Sequence, residues 1–286
     1  MRNCDIKKRL SLCAGLLLLT CLSACTQTVA VTADAEDGVS LPIVMYHSIL
    51  KDASRAGMYV VSPDTLRADL LFLKEQGYET VVVADLIAYT QGGQLPDKPV
   101  MITFDDGYYN NLTYVLPILE ELDMRAVISV IGVYTETFSK TPDPNPNYAH
   151  LSWQEISGLA ATGRVEIQNH SYDMHKQSPR GGSKRKRGES LENYRQIFLE
   201  DTKKLQQLLE QNCGLIPTAY TYPYGLISPE AQDYIKEMGF CATLTCYERR
   251  NVITRDPECL FGLGRYNRPS VLTTQEFMQK LLKGVK

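Results

Sequence analysis

The chain has 286 residues, 44% hydrophobic and 22% charged, which excludes a disordered or collagen-like protein and fits one large domain or two small ones. Thirty Lys and Arg against 33 Asp and Glu give a formal net charge of -3, with no basic excess pointing to nucleic acid. The longest apolar run, residues 10–21, is shorter than a membrane span of about 20 residues and follows a basic start.

Arg2, Lys7, Lys8 and Arg9 precede that run, and Leu22-Ser23-Ala24-Cys25 follows it. A buried helix is one reading. The other rests on the coincidence of a charged start, a short apolar stretch and small residues before a Cys, which resembles a bacterial lipobox. The resemblance implies a signal peptide over 1–24 and lipidation of Cys25. The chain is then expected outside the cytoplasm, held to the membrane by its lipid. Residues 25–40, small and acidic, read as a flexible linker, and 41–286 as one domain. Cys213, Cys241, Cys246 and Cys259 lie in that domain. Export permits disulfides, and pairing of Cys246 with Cys259 is one expectation; four buried thiols are the other. With no C-x-x-C pair, a structural zinc ribbon is not expected.

From residue 41 the pattern alternates. A strand is predicted over 41–47. Ser62-Pro63-Asp64 opens a helix, with Ser at the cap and Pro just inside, and Gly77 closes it. Strands follow over 79–83 and 99–104, then a helix over 114–122 with Pro117 in its first turn, and a strand over 125–131. Ser152 caps a helix beginning at Trp153. A strand over 164–169, a long amphipathic helix over 190–212, a strand over 219–222, a helix over 229–238, a strand over 240–245 and a helix over 274–282 complete the series. Repeated strand–helix units imply an α/β fold with a parallel sheet or barrel, in which chemistry collects at the carboxyl ends of strands.

Three polar clusters lie at such ends. In Thr103-Phe104-Asp105-Asp106-Gly107 two carboxylates adjoin. Like charges this close raise one pKa unless a cation intervenes, and a metal would let one Asp ligate while the other stays free as a base. The plainer reading is an Asp-Gly turn. Asn169-His170-Ser171-Tyr172-Asp173-Met174-His175 carries two of the four histidines, five apart. A loop of that length can bring both imidazoles to one ion, and two imidazoles with a carboxylate suit a catalytic zinc; two unrelated loop histidines are the alternative. In Thr221-Tyr222-Pro223-Tyr224-Gly225 the Pro–Gly turn could aim the Tyr224 main-chain N–H into a pocket, or simply end an aromatic strand.

Together these clusters resemble the polysaccharide deacetylase family, also called the NodB-homology family or carbohydrate esterase family 4. The likeness runs from about residue 41 to the C-terminus. It implies a distorted (β/α) barrel of about seven strands and a divalent metal, usually zinc, with cobalt, nickel or iron also accepted by such ligands. The implied reaction hydrolyses N-acetyl groups on an N-acetylglucosamine-containing glycan of the cell wall or an extracellular matrix. By position, Asp105 matches the catalytic base, Asp106, His170 and His175 the metal ligands, and Tyr224 the oxyanion donor.

The five-residue histidine spacing resembles the branch containing poly-N-acetylglucosamine deacetylases. Where the third motif carries an Arg that holds the base, this chain has Thr221, and Arg265 or Arg268 is expected to stand in. No His follows His175. The Met45-Tyr46-His47 segment resembles the same branch, so His47 is expected to supply the acid, and His150 to be a surface residue. Trp153 is expected to pack its helix start, leaving the 17 Tyr to meet sugar. The run Lys184-Arg185-Lys186-Arg187 reads as a solvated, mobile loop, or as a flank that attracts anionic polymer. A carbohydrate-binding lipoprotein without turnover and an O-acetyl esterase are the competing functions.

Overall fold

The computed structural model describes residues 38–283. The expected signal peptide and Cys25 lie outside the described residues. No helix among those described is long and apolar enough to cross a membrane.

The strands are β1 (Val39–Leu41), β2 (Ile43–Tyr46), β3 (Ser48–Ile49), β4 (Val60–Val61), β5 (Glu79–Thr80), β6 (Pro99–Phe104), β7 (Ala126–Val130), β8 (Val165–Asn169), β9 (Ala219–Thr221), β10 (Ala242–Leu244), β11 (Asn251–Ile253) and β12 (Tyr266–Asn267). The helices are α1 (Pro63–Glu75), α2 (Val83–Thr90), α3 (Leu116–Leu122), α4 (Gly132–Lys140), α5 (Trp153–Ala161), α6 (Leu191–Cys213), α7 (Ala231–Glu237) and α8 (Thr274–Leu281). Seven strands run parallel in the order β10-β9-β8-β7-β6-β2-β12, and β5 adds to the start of β6. A parallel bridge from Leu244 to Leu263 joins the ends of this path. Leu263 N donates to Thr243 O at 2.8 Å, and Thr245 N to Leu263 O at 2.9 Å. The segment then continues into β12, so the expected distorted barrel is what forms.

Strand alternation sorts the core into two shells. On β6, Val100, Ile102 and Phe104 pack outward with Leu66, Leu70 and Leu119 of the helices. Met101 packs inward with Leu41, Ile43, Val127, Ala219 and Ala242. Continuing the inward parity gives Thr103 and then Asp105 on β6, and Met45 and then His47 on β2. On β8, Val165 and Ile167 belong to the outer shell, so Glu166, Gln168 and then His170 face in. Period-two geometry alone therefore delivers His47, Asp105 and His170 to one end of the barrel.

Several expectations change. Pro42 interrupts the 41–47 strand, and β1 pairs antiparallel with β11, so residues 39 and 40 belong to the domain rather than the linker. Only Glu79–Thr80 of the 79–83 strand forms. Val83 instead starts α2, because Glu166 accepts from Val83 N and Ala84 N and Asp85 accepts from Val82 N. The helix predicted over 114–122 begins as a π-helical turn, Asn111–Val115, with Pro117 in the first turn of α3. Ser152 caps α5 as expected, and Trp153 packs against the outer core.

The basic run is held in place. Arg180 makes two hydrogen bonds to Glu189, at 2.7 and 2.6 Å, and Arg185 N donates to Ser228 Oγ at 2.8 Å. The side-chain pair ties the two ends of the segment together, and the Arg185 bond anchors its main chain in the middle, where a mobile loop was the expectation.

Candidate active site

Asp105 ends β6, and the chain turns sharply after it. Asp106 and Gly107 both adopt left-handed backbone conformations, with φ of 73° and 69°. Gly107 is required twice over, since a Cβ there would lie 2.9 Å from Val130 Cγ1. The turn points the two adjacent carboxylates to different partners.

Asp106 Oδ1 lies 3.3 Å from His175 Nε2 and 3.6 Å from His170 Nε2. The three ligand atoms fall within 4.8 Å of one another. His170 Nδ1 sits 2.7 Å from Thr221 O. A carbonyl only accepts, so Nδ1 carries the proton and Nε2 keeps its lone pair for the centre. The five-residue spacing works because the loop between the histidines is shaped from outside. Ser171 is left-handed (φ 77°), Ser171 N donates to Asn169 Oδ1, and Asp201 of α6 accepts from Tyr172 N and Asp173 N at 2.8 Å each. Met174 then turns into the core and His175 into the site.

The electrostatics suit a cation. Asp106 Oδ1 is buried with no hydrogen-bond partner among the described residues. Burial pushes the Asp106 carboxyl up to about 6, with His47 opposing and the Asp105 charge adding. Burial lowers His170 to about 3 and lowers His175 as well. Neutral imidazoles beside an unsatisfied carboxylate oxygen are what a divalent ion of borderline softness binds.

Asp105 is held differently. Arg265 Nη1 and Nη2 each donate to one of its carboxylate oxygens at 2.7 Å. Arg265 also donates to Thr245 O and Thr103 Oγ1. Burial alone would raise the Asp105 carboxyl, but the guanidinium and the nearby imidazoles hold it well below the usual carboxylate range. His47 Nε2 stands 4.0 Å from Asp105 Oδ2. Its Nδ1 is buried without a partner among the described residues, its ring meets the Tyr59 ring, and burial lowers its pKa. Tyr224, left-handed at φ 58°, places its ring 4.3 Å from that of His175. His47, Asp105, Asp106, His170, His175 and Tyr224 line one cleft of about 360 Å³.

The polysaccharide deacetylase profile matches residues 92–243, just over half of the chain and both acidic and histidine clusters. The chain belongs to the polysaccharide deacetylase family. Its relatives include the poly-β-1,6-N-acetyl-D-glucosamine N-deacetylase of Escherichia coli K12, 27% identical over 217 residues, which are 69% of this chain. The chain spans about a third (32%) of that relative's length. The Staphylococcus epidermidis protein of the same name is 24% identical over 85% of this chain and 78% of its own. Among solved structures, a de-N-acetylase from Aggregatibacter actinomycetemcomitans superposes with a TM-score of 0.72 at 22% identity, covering 85% of this chain and all of that one. IcaB from Ammonifex degensii gives 0.68 at 23% identity, over 87% and 99%. The likeness in fold thus spans the whole barrel.

Within that family this chain departs from the motif pattern in one place and repairs it in another. Thr221, where an Arg was expected, bonds Ser129 Oγ instead, at 2.7 Å. Arg265 reaches Asp105 from the segment that completes the barrel. Arg268, the other expected substitute, is spent on buried Asp69. Cys246 and Cys259 are not paired. Cys246 borders the cleft beside Arg265, whereas Cys259 is occupied with the Thr254 backbone. His150, expected at the surface, is buried under Tyr108 and Tyr134 with Nδ1 2.9 Å from Asp106 O. Asp201 was missed altogether. Its only mark in the sequence is an acid on the apolar-spaced helix 190–212.

Proposed function

We propose that this protein removes N-acetyl groups from a polymer of N-acetylglucosamine, releasing acetate, and that zinc serves it. The observation that carries this reading is the convergence of Asp106 Oδ1 with the Nε2 atoms of His170 and His175, beside an Asp105 locked by Arg265. The relatives named poly-β-1,6-N-acetyl-D-glucosamine N-deacetylase support the choice of polymer.

Asp106, His170 and His175 would hold the cation through one oxygen and two nitrogens. When bound, it supplies Lewis acidity, polarising an amide carbonyl and lowering the pKa of water toward about 7. The remaining steps belong to the protein. Asp105, kept ionised by Arg265, takes the proton of the attacking water at a carboxylate oxygen. The Tyr224 N–H, held in a left-handed turn, donates to the carbonyl oxygen as it becomes negative. His47 delivers a proton to the sugar nitrogen as the C–N bond breaks. Burial lowers the His47 pKa and so favours the neutral ring at rest; in this scheme the proton it delivers comes from Asp105, 4.0 Å away.

The test is acetate release from poly-β-1,6-N-acetylglucosamine oligomers, with chelator and zinc add-back, on the wild type and Asp106→Ala. Loss with chelator, recovery with zinc and an inactive variant are expected. Release that survives both chelation and Asp106→Ala would overturn the assignment, and release from O-acetylated glycans alone would transfer it to an esterase.

The same reading puts the protein outside the cytoplasm, tethered through Cys25. It rests on the leader pattern of residues 1–25. Cys25→Ser should move the protein from the membrane fraction to the soluble one; unchanged fractionation counts against a lipid tether.

A further inference from the structure

The metal-ligand role of Asp106 depends on an unusual backbone. A left-handed Asp followed by a left-handed Gly turns the Asp106 carbonyl away from the strand ladder and leaves it buried. A buried carbonyl needs a donor, and here the donor is the imidazole of His150, 44 residues along the chain. Because the carbonyl only accepts, His150 Nδ1 carries the hydrogen.

The ring is itself immobilised. Tyr108 and Tyr134 stack on it with centroids 4.7 and 4.5 Å away, and Phe138 closes in at 5.9 Å. The flanking main chain is strapped to the same turn: Tyr109 N donates to Ala149 O at 2.8 Å and Leu151 N to Gly107 O at 2.9 Å. An antiparallel bridge joins Tyr108 to His150 between these bonds. Nothing in this arrangement opens His150 to the catalytic cleft.

We propose that His150 is a positioning residue of the metal centre. Its Nδ1–H holds the Asp106 main chain in the left-handed conformation and so aims Oδ1 at the point shared by His170 and His175. The inference rests on the metal reading given above and adds a residue that touches neither cation nor substrate.

The test is zinc titration into the metal-free full-length protein by calorimetry, with melting of each metal-free variant alongside. His150→Phe keeps the stacking and removes the donor; zinc affinity should fall about 10- to 100-fold. His150→Asn places an amide N–H near the position of Nδ1 and should recover affinity to within about threefold, whereas His150→Gln, whose amide reaches further, should resemble Phe. Equal affinity in His150→Phe and wild type, or no difference between the Asn and Gln variants, overturns the proposal. If His150→Phe shows no cooperative melting, the Asn and Gln comparison decides alone. A wild type that binds zinc no more tightly than Asp106→Ala overturns the underlying metal reading instead, and is read on different samples.

Discussion

Arg265 meets Asp105 fork to fork, one nitrogen to each carboxylate oxygen at 2.7 Å, and both side chains are shut off from water. Such a pair is costly to break, because removing one partner strands a buried charge. Arg265→Met should destabilise the protein by about 3–5 kcal/mol, seen as a fall in Tm. Arg265→Lys keeps the charge without the fork; it should retain the fold and lose activity, with the acid limb of the pH–rate profile moving to higher pH. The pair also fixes a sign. A carboxylate depressed by folding contributes stability that is present above its unfolded pKa and drains away as pH falls toward the folded value. Acid unfolding of the wild type should show that loss below the ordinary carboxylate range, and Arg265→Met should lack it. A variant with wild-type Tm and pH profile would show that the pair holds nothing.

Asp106 has the opposite sign. Its carboxyl, pushed up to about 6, contributes stability to the metal-free protein that is fully present below the ordinary carboxylate pKa and is lost as pH rises through about 6. Zinc needs the ionised form, so affinity should climb with pH up to about 6 and flatten beyond it. His170, lowered to about 3, is already neutral there, and burial lowers His175 too, so Asp106 supplies the larger part of the release. Calorimetry at pH 5.5 and 7.5, in buffers of different ionisation heat, should find most of a proton released at the lower pH and almost none at the higher. Equal release at both would contradict the assignment.

Asp201 shapes the histidine loop from behind, through the main-chain N–H groups of Tyr172 and Asp173. Asp201→Ala leaves both donors unsatisfied and should cost about 1–3 kcal/mol. Zinc affinity should fall with it, because His175 depends on this loop for its direction. Asp201→Asn retains one acceptor and should lose less of both. Thermal melting and zinc titration read the two effects separately; stability lost with affinity intact would limit Asp201 to the fold.

The basic run 184–187 carries its charge on a fixed backbone. Replacing Lys184, Arg185, Lys186 and Arg187 with Gln leaves the Arg180–Glu189 pair and the Arg185 main-chain bond in place and removes the part-exposed Arg185–Glu230 pair at 3.8 Å, so folding should change little. Turnover on a neutral glycan should stay near wild type at physiological salt. A large loss at low salt that fades at high salt would assign the run to substrate capture.

The site was legible in the sequence through its three polar clusters and their likeness to the family's motifs, and a period of two is what brings those clusters to one end of the barrel. The parity that buries Met101 and Met45 also delivers Asp105 and His47, and the Asp-Asp-Gly letters carry their own turn. What could not be read came from residues distant in sequence. The helix at Val83 begins where β-branched residues argue for a strand, because Glu166 caps it from across the fold. The choice between Arg265 and Arg268 depended on which one faced inward, and Asp69 claimed the second. His150 looked exposed in a Pro-rich stretch, since the two tyrosines that bury it lie 42 and 16 positions upstream. The pairing of Cys246 with Cys259 failed because each thiol has a different neighbour.

Asp105, the proposed base, and its counter-ion stand 160 positions apart in the chain, with Arg265 on the segment that seals the ring. A protease nick or premature stop codon ahead of that residue would leave Asp105, Asp106 and all four histidines intact on paper. Such a fragment would nonetheless carry a stranded acid inside an unsealed sheet. Complete biosynthesis of the tail thus acts as the licence for the proposed chemistry, and truncated by-products should be inert toward the glycan substrate proposed above.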